Sequence, residues 1–539
     1  MLFCLINNSE LKNYRFLILL AIMVLGSCAK RGSITGGLKD TIPPTMIMSV
    51  PKNFSTGFKG NTIRLTFDEY IKLKNADKQL IVSPPMKNRP TLTPSTASKY
   101  IQIQIHDTLQ PNTTYSFNFG QSIEDNNEGN PYPQFKYVFS TGSYIDSLTL
   151  GGRIRDAYAK SPDNFVSVML YEVNDTYTDS TVYKETPRYI TNTLDSLTTF
   201  TLDYLKPGKY QLIALKDDNG NNRFDPKQDK IAFQREFITI PTDTLYELEL
   251  FREALPFKVL RPSQASGNRI VMGYEGSPKG IKVALRNGPD IVPTIVTRLP
   301  KKDSVQVWYS PVKVDSLKLS VTNEAYSTDF TVKMRAQKSD TLSFSAVQPG
   351  TLPLREDFAI TASKPIIQID STLISVQKAD SSAVAFTTAY DEFTQNLTLR
   401  FQKEPLQKYE ITMLPGALTD FYGQKNDTLT FRPSTKSVSD YGNLRVVLEN
   451  VRRFPIIIEL TNAKGDLIES EYSESATVID FNAIEPMRYT LRVIYDDNGN
   501  KQWDPGNFLE KRQSEEVQYF LGEINVPAYW EVDQTFTLP

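Results

Sequence analysis

Cysteine is almost missing from this chain of 539 residues, which has only Cys4 and Cys28. Beyond residue 28 the chain therefore has no internal disulfide, no thiol nucleophile and no cysteine-ligated zinc site. Histidine is nearly as scarce, because His106 is the only one. It follows an alternating apolar–polar run at 100–105, which places it on the polar face of a strand. A serine–histidine–aspartate triad would need this one histidine, and no nucleophile motif accompanies it.

An excess of either charge is also lacking. The net charge is −2, with acidic and basic residues interspersed, so nothing indicates a nucleic-acid partner. Hydrophobic residues make up 40% and charged residues 23% of the chain, which is typical of globular domains and not of disorder. A chain of this length is expected to form four or five domains.

Sequence signatures of catalysis are absent as well. There is no phosphate-binding loop, no metalloprotease helix and no paired-carboxylate motif with a local signature, so we predict that the chain is not an enzyme. Glycosidase carboxylates need no short motif. A carbohydrate-active enzyme therefore remains the least favoured alternative.

The first 28 residues have the pattern of an export signal. Lys12 and Arg15 precede a ten-residue apolar run at 16–25, which is too short for a spanning helix of about 20 residues. A basic flank followed by such a run is typical of a signal peptide. The run leads into Leu-Gly-Ser-Cys, which resembles the lipobox of bacterial lipoproteins and implies a diacylglycerol on Cys28. The alternative is a simple signal peptide with a chance cysteine.

The lipobox resemblance also implies a cellular location. Lipoproteins of this class carry two or three acyl chains, palmitate among them, which suffice for stable anchoring. The residues after Cys28 are Ala-Lys-Arg, whereas an aspartate there retains lipoproteins in the inner membrane of enterobacteria. We therefore expect an outer-membrane lipoprotein that faces the periplasm or the cell surface.

Beyond residue 41 the chain consists of short alternating runs separated by Pro, Gly, Asn and Asp. Residues 62–67, 115–119 and 397–401 are examples, and all have the period-two pattern of half-buried antiparallel strands. We find no amphipathic helix of three turns. The pattern predicts an all-β chain of tandem β-sandwich domains.

An internal repeat sets the domain boundaries. The sequence Asp-Asp-Asn-Gly-Asn-Asn-Arg-Phe-Asp-Pro at 217–226 returns 279 residues later (496 − 217) as Asp-Asp-Asn-Gly-Asn-Lys-Gln-Trp-Asp-Pro at 496–505, with seven of ten positions identical. A weaker repeat relates 41–143 to 338–436. We predict a signal peptide at 1–27, a tether at 28–40, and domains at 41–143, 144–252, 253–337, 338–436 and 437–539.

Four regions of the chain resemble known families. Residues 41–143 resemble the bacterial Ig-like domain of S-layer proteins, through Pro43-Pro44, the run at 63–69, Pro-Asn-Thr-Thr-Tyr at 111–115 and the closing Phe-Ser-Thr-Gly. The segment from Cys28 to Pro44 is similar to Ig-like lipoproteins of the Bacteroidota. Domains 144–252 and 437–539, each with Pro-x-x-Tyr before a strand and then the acidic loop, resemble collagen-adhesin B-type or transthyretin-like domains. The resemblances imply architecture and leave function open.

The repeated acidic loop is the strongest candidate binding site. Side-chain oxygens at loop positions 1, 3, 5 and 9, with the backbone carbonyl at position 7, are the ligands that calcium takes. Similar loops of the staphylococcal adhesin repeats bind calcium structurally, so the resemblance implies a structural role. The alternative is a polar turn without metal. The candidate ligands are Asp217, Asn219, Asn221, Arg223 and Asp225 in one copy, and Asp496, Asn498, Asn500, Gln502 and Asp504 in the other.

Asp-(Ser/Thr)-(aliphatic or Thr) triplets occur eleven times, where average composition predicts roughly two. They resemble the O-glycosylation sequon of exported Bacteroidota proteins. The alternative is that Asp-Ser/Thr closes a turn and the aliphatic residue begins a strand, and a triplet can serve both purposes. The candidate acceptors are Thr108, Ser147, Ser196, Thr244, Ser304, Ser316, Thr341 and Thr428.

We therefore expect a lipid-anchored outer-membrane interaction or scaffold protein that binds a protein partner, with service to an outer-membrane machine as one variant. The alternative is a surface glycan-binding lipoprotein beside a nutrient importer. The expected cofactors are structural calcium and the covalent lipid. The membrane, through the lipid, and an unidentified protein or glycan are the expected partners.

Overall fold

The computed structural model describes residues 40–194 and 198–539. The predicted signal peptide, Cys28, the tether up to residue 39 and the candidate acceptor Ser196 lie outside the described residues. The described residues form two compact units: residues 40–81 with 86–145, and residues 82–85 with 146–194 and 198–539. In the described part of the chain, no helix has the length and apolar character needed to cross a membrane.

Strands account for nearly all regular structure, which confirms the predicted all-β fold class. Helical segments among the described residues are single turns: α1 (Ala76–Gln79), α2 (Thr181–Lys184) and the 3-10 turns Ser371–Leu373 and Val438–Asp440.

The strands between residues 46 and 140 are β1 (Met46–Val50), β2 (Thr62–Leu73), β3 (Ile81–Ser83), β4 (Thr91–Thr93), β5 (Ser98–Gln104), β6 (Thr114–Asn118), β7 (Ile123–Asp125) and β8 (Lys136–Ser140). In the larger sheet of the first unit the order is β1-β2-β5-β4, and β7 pairs with the end of β2. In the facing sheet β6 and β8 are antiparallel. The side chains of Ile63, Leu65 and Phe67 alternate into the core along β2.

Residues 146–252 form a second sandwich from β9 (Leu148–Asp156), β10 (Ser167–Glu172), β11 (Tyr189–Asn192), β12 (Thr199–Leu205), β13 (Gly208–Lys216), β14 (Lys230–Phe233), β15 (Ile238–Ile240) and β16 (Tyr246–Leu250). One sheet has the order β11-β10-β13-β14, with β15 also paired to β13. The other has the order β12-β9-β16, in which β16 is parallel to β9.

The strands of residues 253–337 are β17 (Lys258–Val259), β18 (Ser263–Ser266), β19 (Arg269–Glu275), β20 (Lys282–Asn287), β21 (Asp290–Val292), β22 (Thr294–Arg298), β23 (Ser304–Tyr309), β24 (Ser316–Asn323) and β25 (Tyr326–Lys333). Two sheets, β17-β19-β23-β22 and β21-β20-β24-β25, enclose an apolar core.

Residues 338–436 contain β26 (Phe344–Ala346), β27 (Phe358–Ala362), β28 (Ile366–Ile369), β29 (Ile374–Lys378), β30 (Phe386–Asp391), β31 (Asn396–Phe401), β32 (Tyr409–Met413), β33 (Leu418–Asp420) and β34 (Leu429–Phe431). Their sheets are β26-β27-β31-β30, β28-β33 and β29-β32-β34. A tyrosine hydroxyl closes the same corner here and in the first unit: Tyr409 Oη accepts the N–H of Glu404 at 2.7 Å, and Tyr115 Oη accepts that of Gln110 at 2.9 Å.

The last block contains β35 (Gly442–Glu449), β36 (Ile456–Thr461), β37 (Leu467–Ser473), β38 (Val478–Ile484), β39 (Met487–Tyr495), β40 (Val517–Tyr519), β41 (Ile524–Val526) and β42 (Glu531–Thr537). Its sheets, β37-β36-β39-β40 with β41 on β39 and β38-β35-β42 with a parallel β35–β42 pair, have the strand order of residues 146–252. The two acidic loops follow the equivalent strands β13 and β39.

Candidate functional site

The first acidic loop, residues 217–225, is closed by its own side chains. Asp217 accepts the N–H groups of Gly220 at 2.8 Å and Asn222 at 2.7 Å through its two carboxylate oxygens. Asn221 Oδ1 accepts the N–H of Arg223 at 2.7 Å. Gly220 has a φ of 68°, a left-handed conformation that glycine adopts without strain. The side chains at loop positions one and five therefore point back into the loop and accept its backbone N–H groups.

The second loop, residues 496–504, repeats this arrangement. The two oxygens of Asp496 accept the N–H groups of Asn500 at 3.1 Å and Lys501 at 2.8 Å. Asn500 Oδ1 accepts the N–H of Gln502 at 2.8 Å. Because Asp496 is fully buried, the loop begins inside the protein and its later positions project outward.

The copies differ at loop position nine. In the second copy Asp504 Oδ2 accepts the side-chain amides of both Asn498 and Asn500, the latter at 2.7 Å. In the first copy Asp225 instead accepts the N–H of Lys227 at 3.0 Å and the side chain of Gln228 at 3.3 Å. The structure thus brings together positions three, five and nine only in the second loop.

The donor set of the second loop suits calcium better than that of the first. Positions one, three, five and nine of the second loop supply two carboxylates and two amide oxygens, which are hard donors suited to calcium. Both asparagine amides would have to turn their oxygens towards the ion. Within residues 40–194 and 198–539, no group of three or more His, Cys, Asp or Glu could hold a metal ion, so a site here depends on amide and carbonyl oxygens.

Each loop is also closed by a buried carboxylate outside the repeated motif. Asp229 accepts the N–H groups of Asp218 at 3.2 Å and Asp225 at 2.8 Å. Glu515 accepts those of Asp497 at 2.8 Å and Asp504 at 3.0 Å. Burial, together with neighbouring aspartates, raises the pKa of both carboxyls, although the N–H bonds act in the opposite direction.

The sequence analysis missed both carboxylates. The first lies 12 residues after the start of its loop (229 − 217) and the second 19 residues after (515 − 496). An alignment without gaps therefore does not pair them. The available signal was an acidic residue just before the next strand, β14 or β40, in both copies.

The two repeats contact each other directly within the second unit. Tyr158, in the loop after β9, lies against the outer face of the β36–β39–β40 sheet. Its ring lies 4.0 Å from the guanidinium carbon of Arg492 and 4.6 Å from the ring of Trp503. Its hydroxyl accepts from Arg492 Nη2 at 2.6 Å, and its carbonyl accepts the hydroxyl of Tyr519 at 2.6 Å. The second acidic loop therefore contributes its aromatic residue to this contact.

Arg492 is itself buried and paired. Its Nε donates to Glu459 at 2.6 Å, and both side chains are at least nine-tenths buried. The strand pairs that carry them have the same register in the first repeat, where Ile213 and Met169 are the paired residues. One repeat thus has an ion pair where the other has two apolar side chains.

The contact is reciprocal, because residues 505–513 of the second repeat cover the outer face of the first. The ring of Phe508 lies 5.2 Å from that of Phe233, and its N–H donates to Glu253 at 2.5 Å. Lys511 pairs with Asp179 at 2.7 Å. We name the contacts of Tyr158 and of residues 505–513 the repeat clasp.

The clasp closes a cycle of contacts through residues 146–539. Lys227 pairs with Glu275 at 2.8 Å. Tyr422 donates to the carbonyl of Asn268 at 3.0 Å, and Lys436 pairs with Glu485 at 3.0 Å. The sequence predicts tandem β-sandwich domains and does not say which of them touch. In the second unit the first and last blocks bind each other.

The described candidate glycosylation residues lie at the surface. Thr108, Ser147, Thr244, Ser316, Thr341 and Thr428 are exposed, and Ser304 is half-buried. Ser304 and Ser316 are the first residues of β23 and β24. His106, the lone histidine, is exposed and lies 2.7 Å from Thr91 Oγ1.

Comparison with known proteins gives a match within the first unit. Residues 40–141 match the family model of the bacterial Ig-like domain. No curated protein sequence matches the chain.

Several solved structures show weak similarity. They include domains 1–6 of the surface-layer protein SbsC (9% identity, 90% of this chain and 68% of that chain, TM-score 0.16). They also include titin domains A168–A170 (12% identity, 52% and 100%, TM-score 0.15) and the tandem Ig repeats of Dlar (17% identity, 34% and 100%, TM-score 0.12). At such low TM-scores we base no conclusion on these similarities.

Proposed function

We propose that the chain is a lipid-anchored scaffold protein of the outer membrane, which presents a rigid β-sandwich body to a protein partner. The observation that carries this proposal is the repeat clasp. It joins the first and last blocks of the second unit, so that the sandwiches are held in fixed positions. The lipobox at Cys28 supports the anchor, and the bacterial Ig-like domain at 40–141 supports a location at the cell surface.

The anchor is tested by palmitate labelling in a bacterial host that acylates lipoproteins. We expect label in the wild-type chain and in Cys4→Ser, and none in Cys28→Ser. The Cys4 variant is the matched control because it removes the only other cysteine. Label in Cys28→Ser, or a Cys28→Ser chain that stays in the membrane fraction, would contradict the anchor.

The scaffold role is tested by purifying the tagged, acylated chain from membranes and identifying its partner. Binding of the partner is then measured for the wild type and for a variant with an opened clasp. We expect the open variant to bind the partner at least several-fold more weakly. A partner bound equally well by both forms would show that the rigid body is not what it recognises.

Glycan capture is the second candidate function, and one feature favours it. Tyr529 and Trp530 are adjacent and strongly exposed. Their turn is fixed because the N–H of Tyr529 donates to Tyr441 at 2.8 Å and the N–H of Asn443 donates to the carbonyl of Trp530 at 2.8 Å. Exposed aromatic faces can stack on sugar rings. Loss of polysaccharide binding in Trp530→Ala would favour this function, and unchanged binding would count against it.

We also propose that the second acidic loop binds calcium for structural purposes. Asp496, Asn498, Asn500, Asp504 and the carbonyl of Gln502 would hold the ion. A bound cation would neutralise the carboxylates and stiffen the loop next to the clasp.

The exposed triplets are proposed as O-glycosylation sites. In a Bacteroidota host we expect intact-mass analysis to show added glycans. Thr108→Ala and Ser316→Ala should each lower the added mass by that of one glycan. A chain whose mass equals that of its acylated polypeptide would contradict the proposal. Thr41 and the other triplets outside the candidate set serve as internal comparisons.

A further inference from the structure

The edge of the first unit has an unusual apolar surface. Five of the 23 exposed large apolar side chains in the described residues lie within thirteen positions, 42–54. They are Ile42, Ile47, Met48, Val50 and Phe54, each more than half exposed. We propose that this edge docks on the lipid bilayer to which Cys28 is anchored; the inference rests on the anchor proposed above.

The segment is also free of charge. Between Asp40 and Lys52 the sequence has eleven residues and no acidic or basic side chain. Among residues 40–145, β1 pairs only with β2 and is therefore an edge strand of that described part. Edge strands of soluble proteins are usually protected by charged residues, lysine above all. An uncharged, apolar edge is instead typical of a surface that contacts another phase or protein.

The distance to the anchor favours lipid as the occupant. Eleven residues separate Cys28 from Asp40. Even a fully extended chain of that length spans only about 40 Å. The tether thus keeps β1 at a high effective concentration near the bilayer, where a weak apolar contact suffices for docking.

The charges around β1 indicate which end faces the lipid. Arg64 lies directly opposite Val50 on β2, and Lys52 follows two residues later, so basic groups accompany the end that carries Val50 and Phe54. At the other end Asp68 accepts from the backbone N–H of Thr45 at 2.9 Å. We therefore place residues 47–54 against the lipid, with the basic groups near the phosphates.

The test uses the acylated full-length chain in vesicles of phosphatidylethanolamine and phosphatidylglycerol. In Met48→Cys the introduced thiol is free, because Cys28 carries lipid and Cys4 leaves with the signal peptide. A nitroxide label at position 48 is compared with one at position 521, since Leu521 is even more exposed. Accessibility to oxygen and to a water-soluble nickel chelate is measured by electron paramagnetic resonance.

We expect the label at position 48 to favour oxygen over the nickel chelate by several-fold, and the label at 521 not to. Adding Val50→Asp should return the label at 48 to water without changing the melting curve. Equal nickel accessibility at 48 and 521 would overturn the docking. Shielding at 48 that persists in detergent and grows with protein concentration would indicate a second copy of the chain and also overturn it.

Palmitate incorporation is measured on the same samples to separate two failures. Palmitate present with a water-exposed label at position 48 would overturn the docking alone. Missing palmitate would overturn the anchor and the docking that depends on it.

Discussion

At the scale of single residues, Glu515 shows how burial and hydrogen bonding oppose each other. Burial and the nearby charges of Asp504 and Asp496 raise its pKa, whereas two backbone N–H groups lower it. A raised pKa means that the folded state binds the proton more tightly than the unfolded state. The stability contributed by this carboxyl is therefore full below its ordinary pKa of about 4.5 and declines as the pH rises through the raised value.

We expect Glu515→Gln to lower the free energy of unfolding by about 1–3 kcal/mol at pH 7, because the amide nitrogen faces a backbone N–H and leaves it unpaired. The loss should be larger at pH 4, where the wild-type carboxyl is protonated and the amide does not titrate. Urea unfolding at both pH values measures it. Glu531→Gln, at an exposed position of the same repeat, is the control and should show neither effect. An equal loss of stability at both pH values for Glu515→Gln would contradict the raised pKa of Glu515.

The Arg492–Glu459 pair gives a second prediction at this scale. Arg492→Ile should cost about 3–5 kcal/mol, because it leaves a buried carboxylate without its partner. Adding Glu459→Met installs the residues that the first repeat has at these positions and should recover much of that loss. Thermal or urea unfolding of the wild type, single and double variants measures the recovery. A double variant as unstable as the single one would argue against the buried charge as the cause.

The role of Arg492 could not be predicted from the sequence. In the alternating run of β39 it has the pattern of an ordinary polar residue, and its contact Tyr158 precedes it by 334 positions. Periodicity assigns a residue to one face of a strand, but it does not show that another domain covers that face. The acidic loops could be found by their repeat, whereas Asp229 and Glu515 lie at different distances from their loops and an alignment without gaps does not pair them.

At the scale of elements, the strands were predictable because one face of each sheet packs on a core. The side chains of Ile63, Leu65 and Phe67, which alternate along β2, are buried as the period-two pattern predicts. The order of the strands was not predictable, since the parallel pairs β9–β16 and β35–β42 join strands about 90 residues apart. Hydrophobic periodicity contains no information about which edge a late strand joins.

The acidic loops give the prediction at this scale. We expect calcium to raise the melting temperature of the chain, because an ion that binds only the folded state adds free energy to it by mass action. Asp496→Ala and Asp504→Ala should abolish the shift, while Asp225→Ala should leave most of it because Asp225 faces away from its loop. Melting curves with calcium and with a chelator decide this. Identical curves for the wild type with calcium and with the chelator would rule calcium out.

At the scale of the whole second unit, the clasp can be opened by one substitution. A Cβ at Gly506 would lie 2.4 Å from a ring carbon of Phe251 and 2.6 Å from the carbonyl oxygen of Arg512. We therefore expect Gly506→Val to separate the repeats, increase the radius of gyration in small-angle scattering and speed proteolysis of residues 505–513. Gly350→Val is the matched control, because a Cβ there meets no atom within 4 Å. An unchanged radius of gyration for Gly506→Val would show that the contact of residues 505–513 does not hold the two repeats together.

The clasp also changes how tension would pass through the chain. Residues 253–436 lie between the two clasped repeats in sequence, so a pull applied between residue 146 and the last block would cross the clasp and bypass them. While the clasp holds, those two sandwiches carry no load. When the clasp breaks, the force passes through residues 253–436. The molecule then becomes longer by the length of these two folded sandwiches, although neither of them unfolds. In single-molecule pulling we expect one early extension step that Gly506→Val removes.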